Sequence, residues 1–182
     1  LSEKSLKKPL SSCKVLVIGG GAIGLLCALI LEKIKSCNNV YLSEPNQKRL
    51  DVCSKNLSSK TVKPDHKDLI DNSFDVVFDT VGLEITRQTA IKMTKPGGCI
   101  IHIGLTHPSG NFDFRKATLQ EITFVGTYCY TNKDFEKTLN ILSKNQIGNL
   151  DWIEFRKLNE GSDAFKQIHD GTCSAPKIIL IP

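Results

Sequence analysis

Short apolar runs alternate with helical-period segments along the first two thirds of the chain. Residues 14–18 form one run, apolar from Val15 onward and bounded by glycine, as a strand covered on both faces should be. A helix is predicted over 22–35, apolar on most sides through Leu25, Leu26, Leu29, Ile30, Leu31 and Ile34, and hence largely buried. A second strand spans 40–43. Pro45 and Asn46 then open a helix that runs to about Asn56, with Leu50, Val52 and Cys53 facing inward. Thr61-Val62 reads as a brief third strand, and His66 to Ile70 as a single helical turn. Phe74 to Phe78 is a clear strand. A helix from Glu84 to Met93 follows and stops before Lys95-Pro96-Gly97-Gly98, after which Cys99 to Ile103 form a fifth strand. Beyond Leu105 the pattern changes. A turn at His107–Gly110 precedes a short edge strand over Asn111–Phe114, a strand over Ile122–Gly126 and a helix over Asp134–Leu142. Trp152 to Phe155 is extended, Gly161 to Ile168 helical, and Lys177 to Ile181 a last strand. Residues 1–13 are a polar, basic lead-in, and no internal repeat is present.

The alternation predicts an α/β architecture: a doubly wound parallel Rossmann sheet of about six strands, with a small C-terminal helix–strand appendage. In such sheets ligands bind outside the carboxyl ends of the strands. Gly19, Gly21 and Gly24 supply G-x-G-x-x-G between the first strand and the first helix, and Glu44 closes the second strand twenty residues later. The first glycine permits the tight turn, the second lets backbone approach a pyrophosphate, and the third lets helix pack on strand. Phosphates would sit against the free amides of Ala22 and Ile23, where the helix dipole favours negative charge. A carboxylate at Glu44 accepts hydrogen bonds from both ribose hydroxyls and repels a 2′-phosphate, which favours NAD over NADP. Lys48 and Arg49 lie just beyond; a solvated helix face and a role at the adenine are both open for them. Gly19–Gly24, Glu44, Thr80–Gly82 and Ile103–Leu105 are all strand-end segments, so they are expected to converge on one crevice.

At 182 residues the chain fits one folded unit with a substantial core. The net charge of +5 comes from scattered lysines, and the cluster Lys4, Lys7, Lys8 is too thin for a nucleic-acid surface. Seven cysteines are spaced too widely for any C-x-x-C knuckle; Cys27 and Cys99 read as small core side chains. Their odd number, with no signal peptide, suits a cytoplasmic setting. Residues 15–31 carry no charge but are divided by three glycines, so no membrane span is expected. Of the four histidines, His66 reads as exposed, His107 as a surface-loop residue, and His102, inside the fifth strand, as packed or hydrogen-bonded. None has a Glu or Cys at ligand spacing, so no metal site and no catalytic residue is assigned. The only methionine is Met93, and the chain reads as a piece of something longer.

Five stretches carry a resemblance to a known family: VLVIGGGAIG (15–24), VYLSEPNQKRL (40–50), FDVVFDTVG (74–82), KPGGCIIHIGL (95–105) and ITFVGTYCY (122–130). Together with LNEGSDAFKQIHDG (158–171) and KIIL (177–180), they resemble the medium-chain dehydrogenase/reductase superfamily, in particular its zinc-type polyol and alcohol dehydrogenases. The resemblance implies that Gly19, Gly21, Ala22, Ile23 and Gly24 hold the pyrophosphate of NAD, Glu44 the ribose, and that Arg49 lies near the adenine. Val81 and Gly82 would line the path to the nicotinamide, Ile103, Gly104 and Leu105 would flank that ring, and Thr127 and Tyr128 would contact its amide end. It implies hydride transfer between NAD and an alcohol or ketone, with the zinc held in an N-terminal domain that these residues lack. Residues 1–128 would form the NAD-binding domain, residues 129–182 would pack on the absent catalytic domain, and the edge at Asn111–Phe114 would pair with a second subunit. An NAD-binding regulatory module without chemistry is the alternative. A short-chain dehydrogenase is set aside because Tyr41, Tyr128 and Tyr130 are followed four residues later by Pro45, Asn132 and Asp134 rather than lysine. A zinc-free NADPH-dependent quinone reductase is disfavoured by Glu44.

Overall fold

A computed structural model describes Leu6 and residues 8–182, so Lys4 and Lys7 of the basic cluster lie outside the described residues. Six parallel strands form one sheet in the order β3-β2-β1-β4-β5-β6. They are β1 (Lys14–Ile18), β2 (Asn39–Ser43), β3 (Lys60–Val62), β4 (Phe74–Asp79), β5 (Thr94–His102) and β6 (Thr123–Gly126). The helices α1 (Ala22–Leu29), α2 (Gln47–Asn56), α3 (Glu84–Met93) and α4 (Phe114–Leu119) connect them. Chain order reverses between β1 and β4, which pair from Val15↔Val76 to Ile18↔Asp79. The period-two pattern of β1 decides which layer each residue joins. Val15 and Val17 pack with Leu25 and Leu29 of α1 on one face, and Leu16 and Ile18 with Ala90, Ile91 and Met93 of α3 on the other. All six residues of β4 are buried.

The expected elements are present, with four corrections. The predicted edge strand at Asn111–Phe114 does not form. Asp113 instead caps α4, its carboxylate accepting the Lys116 N–H at 2.7 Å. The sheet's edges are therefore β3 and β6, and Asn111–Phe114 offers no strand for a second subunit to pair with. The first helix keeps α-form only to Leu29 and continues as a π-helical turn over Ile30–Ile34, closed by Lys35 N–H on the Ile30 carbonyl at 3.0 Å. His66–Ile70 makes successive tight turns rather than a helical one, with Leu69 N–H on the His66 carbonyl at 2.9 Å. The fifth strand also begins earlier, at Thr94, with a register shift that places Phe74 opposite Thr94 and Val76 opposite Cys99.

After β6 come α5 (Asn132–Ser143), β7 (Ile153–Lys157), α6 (Gly161–His169) and β8 (Lys177–Ile181). Thr131 and Asp134 form a reciprocal capping box that starts α5. β7 and β8 pair in parallel as a separate two-stranded sheet. Ile147 and Trp152 are buried in the same core as α1 and β1, so the end of the chain is anchored to the main sheet.

At the opposite end of the sheet from the strand tips, Asp75 joins three segments. Its carboxylate accepts the Lys14 N–H at 2.7 Å, lies 3.0 Å from Lys8 Nζ and pairs with Lys95. Burial works against its charge, but Lys95, the Lys14 amide and Lys8 outweigh burial and hold the carboxyl below its ordinary value. A group with a depressed folded pKa contributes fully above its unfolded value and loses that contribution as pH falls through the folded one. Asp75→Asn is expected to cost about 1.5–3 kcal/mol at neutral pH, and less once pH drops below about 4. Urea unfolding at pH 7 and pH 3 checks this; an equal loss at both would contradict it.

Candidate coenzyme site

The glycine-rich turn leaves β1 and enters α1 in three residues. Gly19 sits at φ +103°, a left-handed conformation that side chains resist, and its N–H reaches the Ser43 carbonyl at 2.8 Å. A Cβ on Gly24 would fall 1.9 Å from the Gly19 carbonyl oxygen, so helix and turn touch backbone to backbone. Around Gly21 the space is open: an added Cβ would meet nothing within 4 Å. Gly21 caps α1 without any side-chain hydrogen bond, which leaves the first-turn amides of Ala22 and Ile23 uncapped beside that space. The turn has the shape of an anion cradle.

Glu44 follows β2 and faces this turn, but it is more enclosed than a free strand-end carboxylate. Only 3% exposed, it accepts the Gly20 N–H at 2.7 Å through Oε2 and the Asn46 N–H at 2.8 Å through Oε1. Arg49 Nη2 lies 3.5 Å from Oε1. The carboxylate thus ties the first loop to the second and keeps acceptor capacity in its remaining lone pairs. Cys53 closes the same corner, its Sγ on the Gly20 carbonyl at 3.5 Å; burial first and Glu44 second push that thiol up to about 12. Asn46, expected to open the second helix, does so and makes a contact that the sequence did not signal. It caps α2 through Oδ1 and donates from Nδ2 to the Gly171 carbonyl at 2.7 Å, clasping the C-terminal segment to this wall.

The other end of the crevice is built from the tips of β4, β5 and β6. Gly82, at φ +78°, and Gly104 press together: a Cβ on Gly82 would lie 2.1 Å from the Gly104 oxygen, and one on Gly104 2.0 Å from the Val81 carbonyl carbon. Fully buried Asp79 organises the turn, with Oδ1 accepting the N–H groups of Val81 at 3.1 Å and Gly82 at 2.9 Å. Arg87 of α3 donates to the carbonyls of Gly82 at 2.9 Å and His107 at 3.2 Å, and to that of Ser109, pinning the loop after β5. An Asp three residues before a turn glycine is a legible turn signal; nothing in the sequence marks Arg87. Ile103 is half-buried, and Thr127 hangs from the sheet by its N–H on the His102 carbonyl at 2.9 Å. Leu105 and Tyr128 are 74% and 82% exposed, so these two predicted residues stand at the rim without being enclosed. The expected convergence is present: parallel pairing of β1 with β2 and β4, and of β5 with β4 and β6, sends all these segments to one edge.

Two buried polar atoms on predicted site residues have no partner: Arg49 Nε, at the Glu44 end, and Thr127 Oγ1, at the far end. Buried polar groups are ordinarily satisfied, so Arg49 and Thr127 each carry unspent hydrogen-bonding capacity. Among the described residues, no group of three or more His, Cys, Asp or Glu could hold a metal ion.

Residues 22–144 match the family described as zinc-binding dehydrogenase. The chain belongs to the zinc-binding dehydrogenase family. The match begins at the first residue of α1 and ends just past α5. Family relatives include a probable D-xylulose reductase A of Neosartorya fischeri, 24% identical over 170 residues that cover 86% of this chain and 47% of the relative. A probable diacetyl reductase [(R)-acetoin forming] 2 of Saccharomyces cerevisiae is 30% identical over 145 residues, covering 72% of this chain and 34% of that protein. The chain spans about half the length of the first of these relatives. Among solved structures, acetophenone reductase from Geotrichum candidum in complex with NAD superposes with a TM-score of 0.85 at 19% identity, covering 98% of this chain and 51% of that one. The shared fold covers about half of that chain.

The two kinds of glycine separate in a direct test. Gly104→Ala, which drives a Cβ into backbone, is expected to lower stability by on the order of 3 kcal/mol. Gly21→Ala, facing open space, is expected to cost less than about 1 kcal/mol. Chemical denaturation of both variants checks the contrast, and equal losses would contradict the close approach.

Proposed function

We propose that this chain is the NAD-binding part of a zinc-type alcohol or polyol dehydrogenase. The observation that carries the reading is the uncapped amide cradle at Gly19–Gly24, facing open space beside a buried carboxylate at the end of the adjacent strand. The chain's residues fit the coenzyme at three points. Gly21, Ala22 and Ile23 present backbone N–H groups to the two phosphates. Glu44 accepts from the adenosine ribose with its remaining lone pairs and, being negative and enclosed, disfavours a 2′-phosphate. Arg49 lies beside the adenine, its charge neutralised by Glu44.

Val81, Gly82, Ile103, Gly104 and Leu105 then border the nicotinamide, and Thr127 and Tyr128 its carboxamide. Bound NAD supplies the hydride chemistry. The chain's own part is to orient the coenzyme and to exclude water on one side. Substrate polarisation by zinc, with the alcohol or ketone pocket, belongs in this reading to a part of the protein beyond these 182 residues. Residues 129–182 would pack against that part, which suits the exposed apolar side chains Phe155, Leu158 and Phe165. The relatives' names span a xylulose reductase, a diacetyl reductase and sorbitol dehydrogenases, which supports small hydroxy and keto compounds as the substrate class. Seven free thiols suit a reducing, cytoplasmic setting.

Two outcomes are expected. In titration calorimetry the purified chain binds NAD and, by itself, oxidises no alcohol or polyol; absence of binding, or measurable turnover, would refute the reading. Glu44→Gln is expected to weaken NAD by about tenfold, the worth of a charge-assisted hydrogen bond, and to narrow the gap between NAD and NADP. Unchanged affinities for both nucleotides would remove Glu44 from the site.

A further inference from the structure

Buried Asp79 uses its two carboxylate oxygens differently. Oδ1 accepts the Val81 and Gly82 N–H groups, whereas Oδ2 faces His102 Nδ1 at 3.2 Å. The two residues are register partners at the tips of β4 and β5. The imidazole is largely enclosed, its side chain 17% exposed, and packs against Phe124 of β6 with ring centroids 5.5 Å apart. The backbones of the same pair carry the rest of that edge. The Asp79 carbonyl accepts Ile103 N–H at 2.9 Å and Gly104 N–H at 3.1 Å, and the His102 carbonyl accepts Thr127 N–H at 2.9 Å. Every segment assigned to the nicotinamide end is thus hung from Asp79 or His102 by at least one main-chain amide.

A buried carboxylate is costly unless its oxygens are satisfied. Without the imidazole, Oδ2 would lose the side-chain partner the fold gives it, and the carboxylate would tend to turn away from the Val81 and Gly82 amides. The close contact of Gly82 with Gly104 leaves little room for such a turn to shift without moving its neighbour.

We propose that Asp79 and His102 act as positioning residues: together they fix the three strand-end segments that receive the nicotinamide half of the coenzyme, with His102 Nδ1–H as the latch. The proposal rests on the NAD reading above for its ligand, but the latch itself belongs to the chain alone. It requires a proton on Nδ1, whichever form Nε2 takes.

The test pairs His102→Leu, which removes the donor, with His102→Asn, whose amide can replace Nδ1–H. Calorimetry with NAD and with ADP-ribose, which differ by the nicotinamide ring, isolates the far end of the crevice. His102→Leu is expected to weaken NAD about tenfold, a charge-assisted hydrogen bond's worth, while ADP-ribose affinity holds and His102→Asn recovers most of the loss. A parallel loss for both ligands, or none, would overturn the positioning role. Amide hydrogen exchange at Val81 and Gly82 reads the latch without ligand: faster in the Leu variant and restored in the Asn variant if the proposal is right, unchanged in both if it is wrong. Should the parent bind neither ligand, the NAD reading fails and the exchange result alone decides the latch. If the Leu variant does not fold, ¹⁵N spectra of the parent imidazole decide it: Nδ1 protonated supports the latch, and Nδ1 bare overturns it.

Discussion

Backbone amides can be left facing open space only where the surrounding chain can spare them, and the helix start after Gly21 is such a place. A helix interior uses every N–H, but the first turn of α1 has none of its own carbonyls to bond and no side-chain cap. The rest of the site depends on keeping those amides bare and accessible. Direct backbone contact between Gly19 and Gly24 holds the helix against the sheet without a side chain in the way. Glu44 then ties the next strand end to the same turn through the Gly20 amide. The electrostatic character follows from the geometry: positive helix end on one side, enclosed carboxylate on the other.

The two ends of the crevice are built alike. Each has a left-handed glycine, Gly19 or Gly82; a backbone close approach, to Gly24 or Gly104; and a buried acid, Glu44 or Asp79, that accepts at least one main-chain N–H from the turn. An acid used in this way organises loops first, and any ligand contact comes in addition. That loop-tying role explains why Glu44 is nearly inaccessible although it stands at the strand tip where a ribose is expected.

Much of this was legible in the chain. Short apolar runs and glycine boundaries located five of the six sheet strands closely, because a strand buried on both faces leaves little choice of residue. The Asn111–Phe114 expectation failed because an apolar pair flanking Asp113 resembles a strand until that Asp is read as a helix cap. The early start of β5 was hidden because Pro96 and two glycines argue for a turn, whereas pairing with β4 draws Thr94 into the strand across a register shift. At the site, motif spacing identified the glycine turn and Glu44. Long-range polar contacts were out of reach: Arg87 on the loop after β5, Asn46 on Gly171 and His102 on Asp79 are set by tertiary proximity and leave no local pattern.

The central claim is that one crevice along the carboxyl ends of the strands receives a dinucleotide end to end. Amide chemical-shift mapping on the ¹⁵N-labelled chain, titrated with NAD, tests it most directly. The account predicts that Ala22 and Ile23 shift most strongly, accompanied by residues at 44–49 and by Gly82, Leu105 and Thr127, while β7 and β8 stay still. Perturbations confined to another surface, or a spectrum unchanged at saturating nucleotide, would contradict it.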